Sequence, residues 1–191
     1  MIPRLGRKGV TGNIGEAICG ILALGPLGLS RKDVVHIKAT KRNRAPDYVF
    51  RFPTMPPIFL TSALSQVIPN RVWLNAPIWW PVEAKATKTA HHKTPFDIAF
   101  IQLLTYWRQC ANHPSTRGAV GFGLIFITGY DIVDPKVCIH LLVARRRTAL
   151  TNELRQTSGI AATQQDAGFA NWLKANDKQE LTRFKEMFYG F

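Results

Sequence analysis

The chain predicts a mixed α/β domain in which helices pack on a central sheet. Three observations carry that expectation. Of its 191 residues, 46% are hydrophobic, enough for an ordinary buried core. Short apolar runs of strand character, such as Gly123–Thr128 (GLIFIT) and Val137–Ala144, occur alongside longer segments of helical pattern. Those segments follow the order helix, three strands, helix, strand, strand and then helices, an αβββαβ order with helices added at the C-terminus.

Residues 1–10 are basic and glycine-containing and read as a loose arm. Thr11 and Asn13 are candidate N-caps for a helix running to about Leu24, where Gly25-Pro26 stops it. Asp33–Lys38 reads as a strand, followed by a turn carrying Lys41, Arg42 and Arg44. Asp47–Phe52 is the second strand, ended by Pro53, and residues 53–77 read as an insertion between two core strands. Ile78–Ala86 is the third strand, in which Pro81 suggests an edge or a bend. Thr94-Pro95 sets a capping residue before a proline at the first helical position, for a helix to about Ala111. The unbroken hydrophobicity of 123–128 and 137–144 predicts strands buried on both faces. From Arg145 the pattern is helical and polar: near 148–156, near 161–175 and from Gln179 onward. With no repeat or low-complexity tract, 1–191 reads as one domain: a core of about 10–145, the 53–77 insertion and a C-terminal helical extension over 148–191.

Lys and Arg total 25 against 12 Asp and Glu, a net charge of +13. A field of that sign attracts polyanions and points to nucleic acid as the partner, without saying whether the chain cuts what it binds. Cys19, Cys110 and Cys138 lie far apart with no CxxC pair, which argues against a structural zinc site or a disulfide framework. An odd thiol count fits a reducing, cytoplasmic compartment, with a secreted toxin left open. The apolar run from Ala17 to Leu29 is bordered by Glu16, broken by Gly25-Pro26 and shorter than the ~20 residues a bilayer needs. It reads as a core helix of a soluble protein with no membrane partner.

Candidate chemistry begins at Glu83-Ala84-Lys85. On a strand, Glu83 and Lys85 share one face while Trp80, Val82 and Ala84 point to the other, towards the core. Alone, such a pair also describes a solvated ion pair. Upstream, however, Pro46-Asp47 sets an acid at the entrance of another strand. Two carboxylates from adjacent strands can converge on one hard cation, and a neighbouring lysine can orient or deprotonate the attacking water. Phosphodiester hydrolysis needs those parts. His91-His92 is a poorer metal pair, since adjacent side chains diverge on any regular element; His36, His113 and His140 are scattered and read as structural.

Pro46-Asp47 followed by Glu83-x-Lys85 resembles the signature of the PD-(D/E)xK nuclease superfamily. Glu16 sits in the first helix, where many members carry a metal-site acid, and Gln102-Leu-Leu-Thr-Tyr106 is similar to the Q-x-x-x-Y element of RecB-like members. The resemblance covers roughly residues 10–130 and implies a restriction-endonuclease-like core. It implies that Asp47 and Glu83 bind Mg²⁺ (or Mn²⁺) directly, with the carbonyl of Ala84 completing the site. Lys85 would activate or position water, and Glu16 would act through water or hold a second ion. Gln102 would steady the lysine or a phosphate, with Tyr106 helping to place it; core packing is the alternative for Tyr106. Lys41, Arg42, Arg44 and Lys88 would contact the nucleic-acid backbone. DNA stands ahead of RNA as substrate, and either targeting would come from a partner protein or a homodimer, or the chain would have no sequence preference at all.

One departure bears on this reading: residues 48–82 separate the two acids, far more than a hairpin turn spans. Should Asp47 not lie beside Glu83, Asp33 and Asp97 are the substitutes. Two rival readings remain, a non-catalytic nucleic-acid-binding module on the same fold and a structural or assembly protein of a basic particle.

Overall fold

The computed structural model describes residues 7–37, 46–52, 78–88, 93–130, 135–157, 169, 173 and 179–189. Helix α1 (Arg7–Leu24) is followed by β1 (Val34–His36), β2 (Tyr48–Phe52) and β3 (Ile78–Thr87). Helix α2 (Lys93–Asn112) leads to β4 (Phe122–Gly129) and β5 (Lys136–Val143), and then come α3 (Arg147–Gln156) and α4 (Gln179–Glu186). The five strands form one sheet in the order β1-β2-β3-β4-β5. Neighbours are antiparallel except β3 and β4, which are parallel. That exception follows from the chain: parallel neighbours need a long crossover, and α2 is the crossover. The fold is therefore α/β, a mixed sheet flanked by helices, in the element order the sequence predicts.

Two apolar clusters lie against the sheet. One joins Cys19 and Ala23 of α1 to Phe50, Phe52, Trp80, Val82, Ala84, Leu124 and Phe126. The other joins Phe100, Leu103, Leu104 and Trp107 of α2 to Ile125, Ile127 and Leu142, and to Leu150, Leu181, Phe184 and Phe188 from the C-terminal segments. Leu124 and Phe126 fall in the first and Ile125 and Ile127 in the second, the period-two alternation of a strand covered on both sides. β4 is accordingly buried throughout, as expected.

β5 is not. Among the described residues it is the last strand of the sheet, and Val137 and Ile139 are exposed. Its continuous hydrophobicity misled because an edge position is not written in the strand's own residues. Pro81 also departs from expectation: β3 is the central strand, and Pro81 pairs with Val49 in its interior. The parallel ladder with β4 starts one residue later, at Val82 opposite Leu124.

α1 ends where Gly25-Pro26 predicts. The N–H of Gly25 donates to Ile21 O at 2.9 Å, that of Leu27 to Leu22 O at 2.9 Å, and Gly28 takes a left-handed φ of 63°. It starts earlier, at Arg7, so Thr11 and Asn13 lie inside the helix rather than capping it, and residues 7–10 are helical rather than part of an arm. Glycines lower helix propensity without ending a helix as proline does, and α1 gains its packing against β3 and β4. The first predicted strand is shorter than 33–38, because Arg31–Asp33 form a 3-10 turn. Lys93 precedes the expected start of α2, leaving Pro95 in the first turn, where its missing N–H costs no helical bond.

The C-terminal segments close the α2 side. Phe188 is fully buried, stacked on Trp107 with ring centroids 5.2 Å apart and edge-on to Phe100 at 5.4 Å. Ala144 bridges to Phe188, Arg145 Nε donates to Phe188 O at 2.9 Å, and the Arg145 guanidinium lies over Tyr189. Gly121, at φ 84°, lies against that corner: a Cβ there would fall 2.6 Å from Ala144 Cβ. The expected 53–77 insertion, the turn at 38–45 and most of the 161–175 segment lie outside the described residues, of which Phe169 and Leu173 are buried in the α2-side core. Among the described residues no helix is long and apolar enough to cross a membrane.

Candidate active site

The register of β2 on β3 places Tyr48 opposite Val82. One residue further, Asp47 comes opposite Glu83, despite the long connection between them. The N–H of Asp47 donates to Glu83 Oε2 at 3.3 Å, and the N–H of Ala84 donates to Asp47 Oδ2 at 2.8 Å. Since Trp80, Val82 and Ala84 enter the α1-side core, Glu83 and Lys85 point to the opposite face, as strand alternation requires. Glu83 is fully buried, and Lys85 Nζ forms an ion pair with its Oε1.

Burial pushes the Glu83 carboxyl up to about 8; the Lys85 ammonium pulls against that, and the charge of Asp47 adds to it. Such a group favours either a proton or an added cation. Asp47 Oδ2 accepts from Ala84, and Oδ1 has no hydrogen-bond partner among the described residues. Two adjacent carboxylates form a hard oxygen donor set. Among the described residues no group of three His, Cys, Asp or Glu stands together at metal-holding distance. Mg²⁺ tolerates this, because it characteristically keeps several waters and binds through one or two carboxylates. The residues present therefore fit a hydrated divalent cation on Asp47 and Glu83, not an all-protein cage.

Helix α1 lies tightly over this part of β3. A Cβ on Gly15 would sit 3.1 Å from the Lys85 carbonyl carbon and 3.2 Å from the Ala86 nitrogen, so a larger residue would have to push the helix off the strand by a few tenths of an ångström. The next residue, Glu16, is turned to a different partner: its Oε2 lies 3.2 Å from His36 Nε2, and its carbonyl accepts the Tyr48 hydroxyl at 3.1 Å. The His36 and Tyr48 rings are 4.9 Å apart. Burial, with the charges of Glu16 and Asp47 adding, pushes the Tyr48 hydroxyl up to about 12. Burial, with Asp47, Glu83 and Glu16 adding, also raises the Cys19 thiol, keeping it neutral and inert. Among the described residues Glu16 makes its direct side-chain contact with His36, not with Asp47 or Glu83.

Sequence reasoning took His36 for a scattered structural residue and did not single out Tyr48. The available signal was position alone: Tyr48 follows Asp47 on β2, and His36 is its pairing partner on β1.

The other candidates fall as follows. Gln102 is half-buried on α2, and no hydrogen bond joins it to Lys85 or to either carboxylate among the described residues. Tyr106 packs against the α2-side core with its hydroxyl bonded to Cys110, the packing role left open beside a substrate role. Lys88 is exposed just past the end of β3. Lys41, Arg42 and Arg44, like His91 and His92, lie outside the described residues. The substitute acids are engaged elsewhere: Asp33 with Arg51 at 2.8 Å and with Ser30, Asp97 with Lys185 at 2.5 Å.

No protein-family model, curated protein or solved structure matches this chain.

Proposed function

We propose that the chain is a metal-dependent nuclease of the PD-(D/E)xK kind on a restriction-endonuclease-like core, hydrolysing phosphodiester bonds in DNA ahead of RNA. The observation that carries this reading is the cross-strand pairing of Asp47 with Glu83, with Lys85 on the same face. Two further observations support it: the helix-three-strand-helix-strand order with its single parallel pair, and the excess of basic over acidic residues.

Bound at this pair, Mg²⁺ or Mn²⁺ would supply the charge that polarises the scissile phosphate. Asp47 and Glu83 would hold it through their oxygens, with the carbonyl of Ala84 as a third donor. Lys85 would orient the attacking water or, as the free amine, take its proton. Glu16 acts through water or a second ion, and its bond to His36 fixes its direction. Gln102 steadies Lys85 or a phosphate. Lys41, Arg42, Arg44 and Lys88 contact the nucleic-acid backbone, and a homodimer or a partner protein supplies targeting.

The test is cleavage of plasmid and single-stranded DNA with Mg²⁺, Mn²⁺ or EDTA, alongside Lys85→Ala. Metal-dependent cutting that the variant loses supports the nuclease. Binding without cutting supports a non-catalytic module, and neither supports a structural role.

A further inference from the structure

Four residues before Glu83 on the same face of β3 stands Trp79, 41% exposed although the neighbouring Trp80 is buried. Arg51 pairs with Trp79 across β2 and β3, and its guanidinium carbon lies 5.8 Å from the centroid of the Trp79 ring. Arg51 is itself held: buried Asp33 lies opposite it and accepts from it at 2.8 Å, while Ser30 bonds the same carboxylate. A half-exposed indole is thus flanked by an anchored cation.

Exposing an indole has an energetic cost, and this one shares a sheet face with the acid pair in a chain of charge +13. We infer that Trp79 and Arg51 form a binding subsite for single-stranded nucleic acid, in which an unpaired base stacks on the Trp79 ring. The inference rests on the nuclease reading for what happens at Asp47 and Glu83, but not for the binding itself. A flat π-surface beside a fixed guanidinium accepts any base, because every base has a π-face, and the polyanionic backbone suits the charge. Duplex DNA does not qualify, since its bases are already stacked on each other. Four strand residues span about 13 Å, roughly four stacked nucleotides at 3.4 Å each. The buried Val49 and Pro81 lie between the subsite and the acid pair, which one strand would reach in turn.

The experiment is fluorescence anisotropy of a labelled single-stranded oligodeoxynucleotide, and of its duplex, on the full chain in EDTA so that nothing is cut. Trp79→Ala should weaken single-strand binding about ten-fold. Trp79→Phe, which keeps a π-face, should recover most of the loss, and duplex binding should not change. Thermal melts of both variants should match the wild type, since the side chain is half-exposed. Undiminished single-strand affinity in Trp79→Ala overturns the subsite, as does an equal loss on duplex. Tight single-strand binding that depends on Trp79, without Mg²⁺-dependent cleavage, upholds the subsite while removing the nuclease reading.

Discussion

Asp47 and Glu83 hold each other in place: the backbone N–H of Asp47 donates to the Glu83 carboxylate, and the N–H of Ala84 donates to the Asp47 carboxylate. Each acid is therefore oriented by the other's strand before any ligand arrives, the preorganisation that a cation site requires.

That arrangement separates orientation from charge. Asp47→Asn keeps an oxygen able to accept from Ala84 and should preserve the fold, while Mg²⁺-dependent cleavage should fall about 10²-fold or more. Lys85→Ala should fall comparably. Plasmid nicking rates beside circular dichroism melts check both, and an Asp47→Asn enzyme with near wild-type rates would remove Asp47 from the site.

The buried Glu83 carries a pH signature. Its carboxyl is raised from 4.5 to about 8, so the folded state favours the protonated form. The stability it lends is complete below about 4.5 and is lost as pH rises through about 8. In EDTA, Glu83→Gln should match the wild type near pH 4 and exceed it near pH 9 by on the order of a few kcal/mol. Mg²⁺ should narrow the gap at the higher pH by stabilising the ionised wild-type site. Urea titrations at both pH values test this, and a pH-independent difference would count against it.

Gly15 controls how closely α1 approaches the site. Gly15→Ala places a methyl group against the backbone of Lys85 and Ala86, which yields only if α1 moves, at a cost of about 1–3 kcal/mol. Activity should drop with stability, because Glu16 moves with the helix. Gly12→Ala is the control: nothing lies within 4 Å of its added Cβ, and it should stabilise the helix by roughly 0.5–1 kcal/mol. Denaturation midpoints of the two variants should move in opposite directions from the wild type, while only Gly15→Ala should lower the cleavage rate.

The C-terminal extension belongs to the core. Phe188→Ala removes a ring packed between Trp107 and Phe100 and should cost about 3–5 kcal/mol. Ending the chain before Gln179 should be worse, since Leu181 and Phe184 go with it. Thermal melts provide the measurement; a truncated chain that melts like the wild type would show the extension to be dispensable.

Local chemistry was legible in the sequence wherever its rules act over a few residues. Gly25-Pro26 ends α1, Thr94-Pro95 falls in the first turn of α2, and strand alternation separates Glu83 and Lys85 from Trp80, Val82 and Ala84. The order of elements, and with it the α/β class, followed from the same patterns. Only the tertiary structure decided which distant residues meet. Asp47 comes beside Glu83 because the register of β2 on β3 puts it there, and no residue in the connection between them records that register. Glu16 turns to His36, β5 is left at an open edge, and Pro81 lies mid-sheet for the same reason. Helix stops and alternation depend on backbone geometry close in sequence, whereas pairing, edge position and burial are set by contacts between segments far apart in the chain.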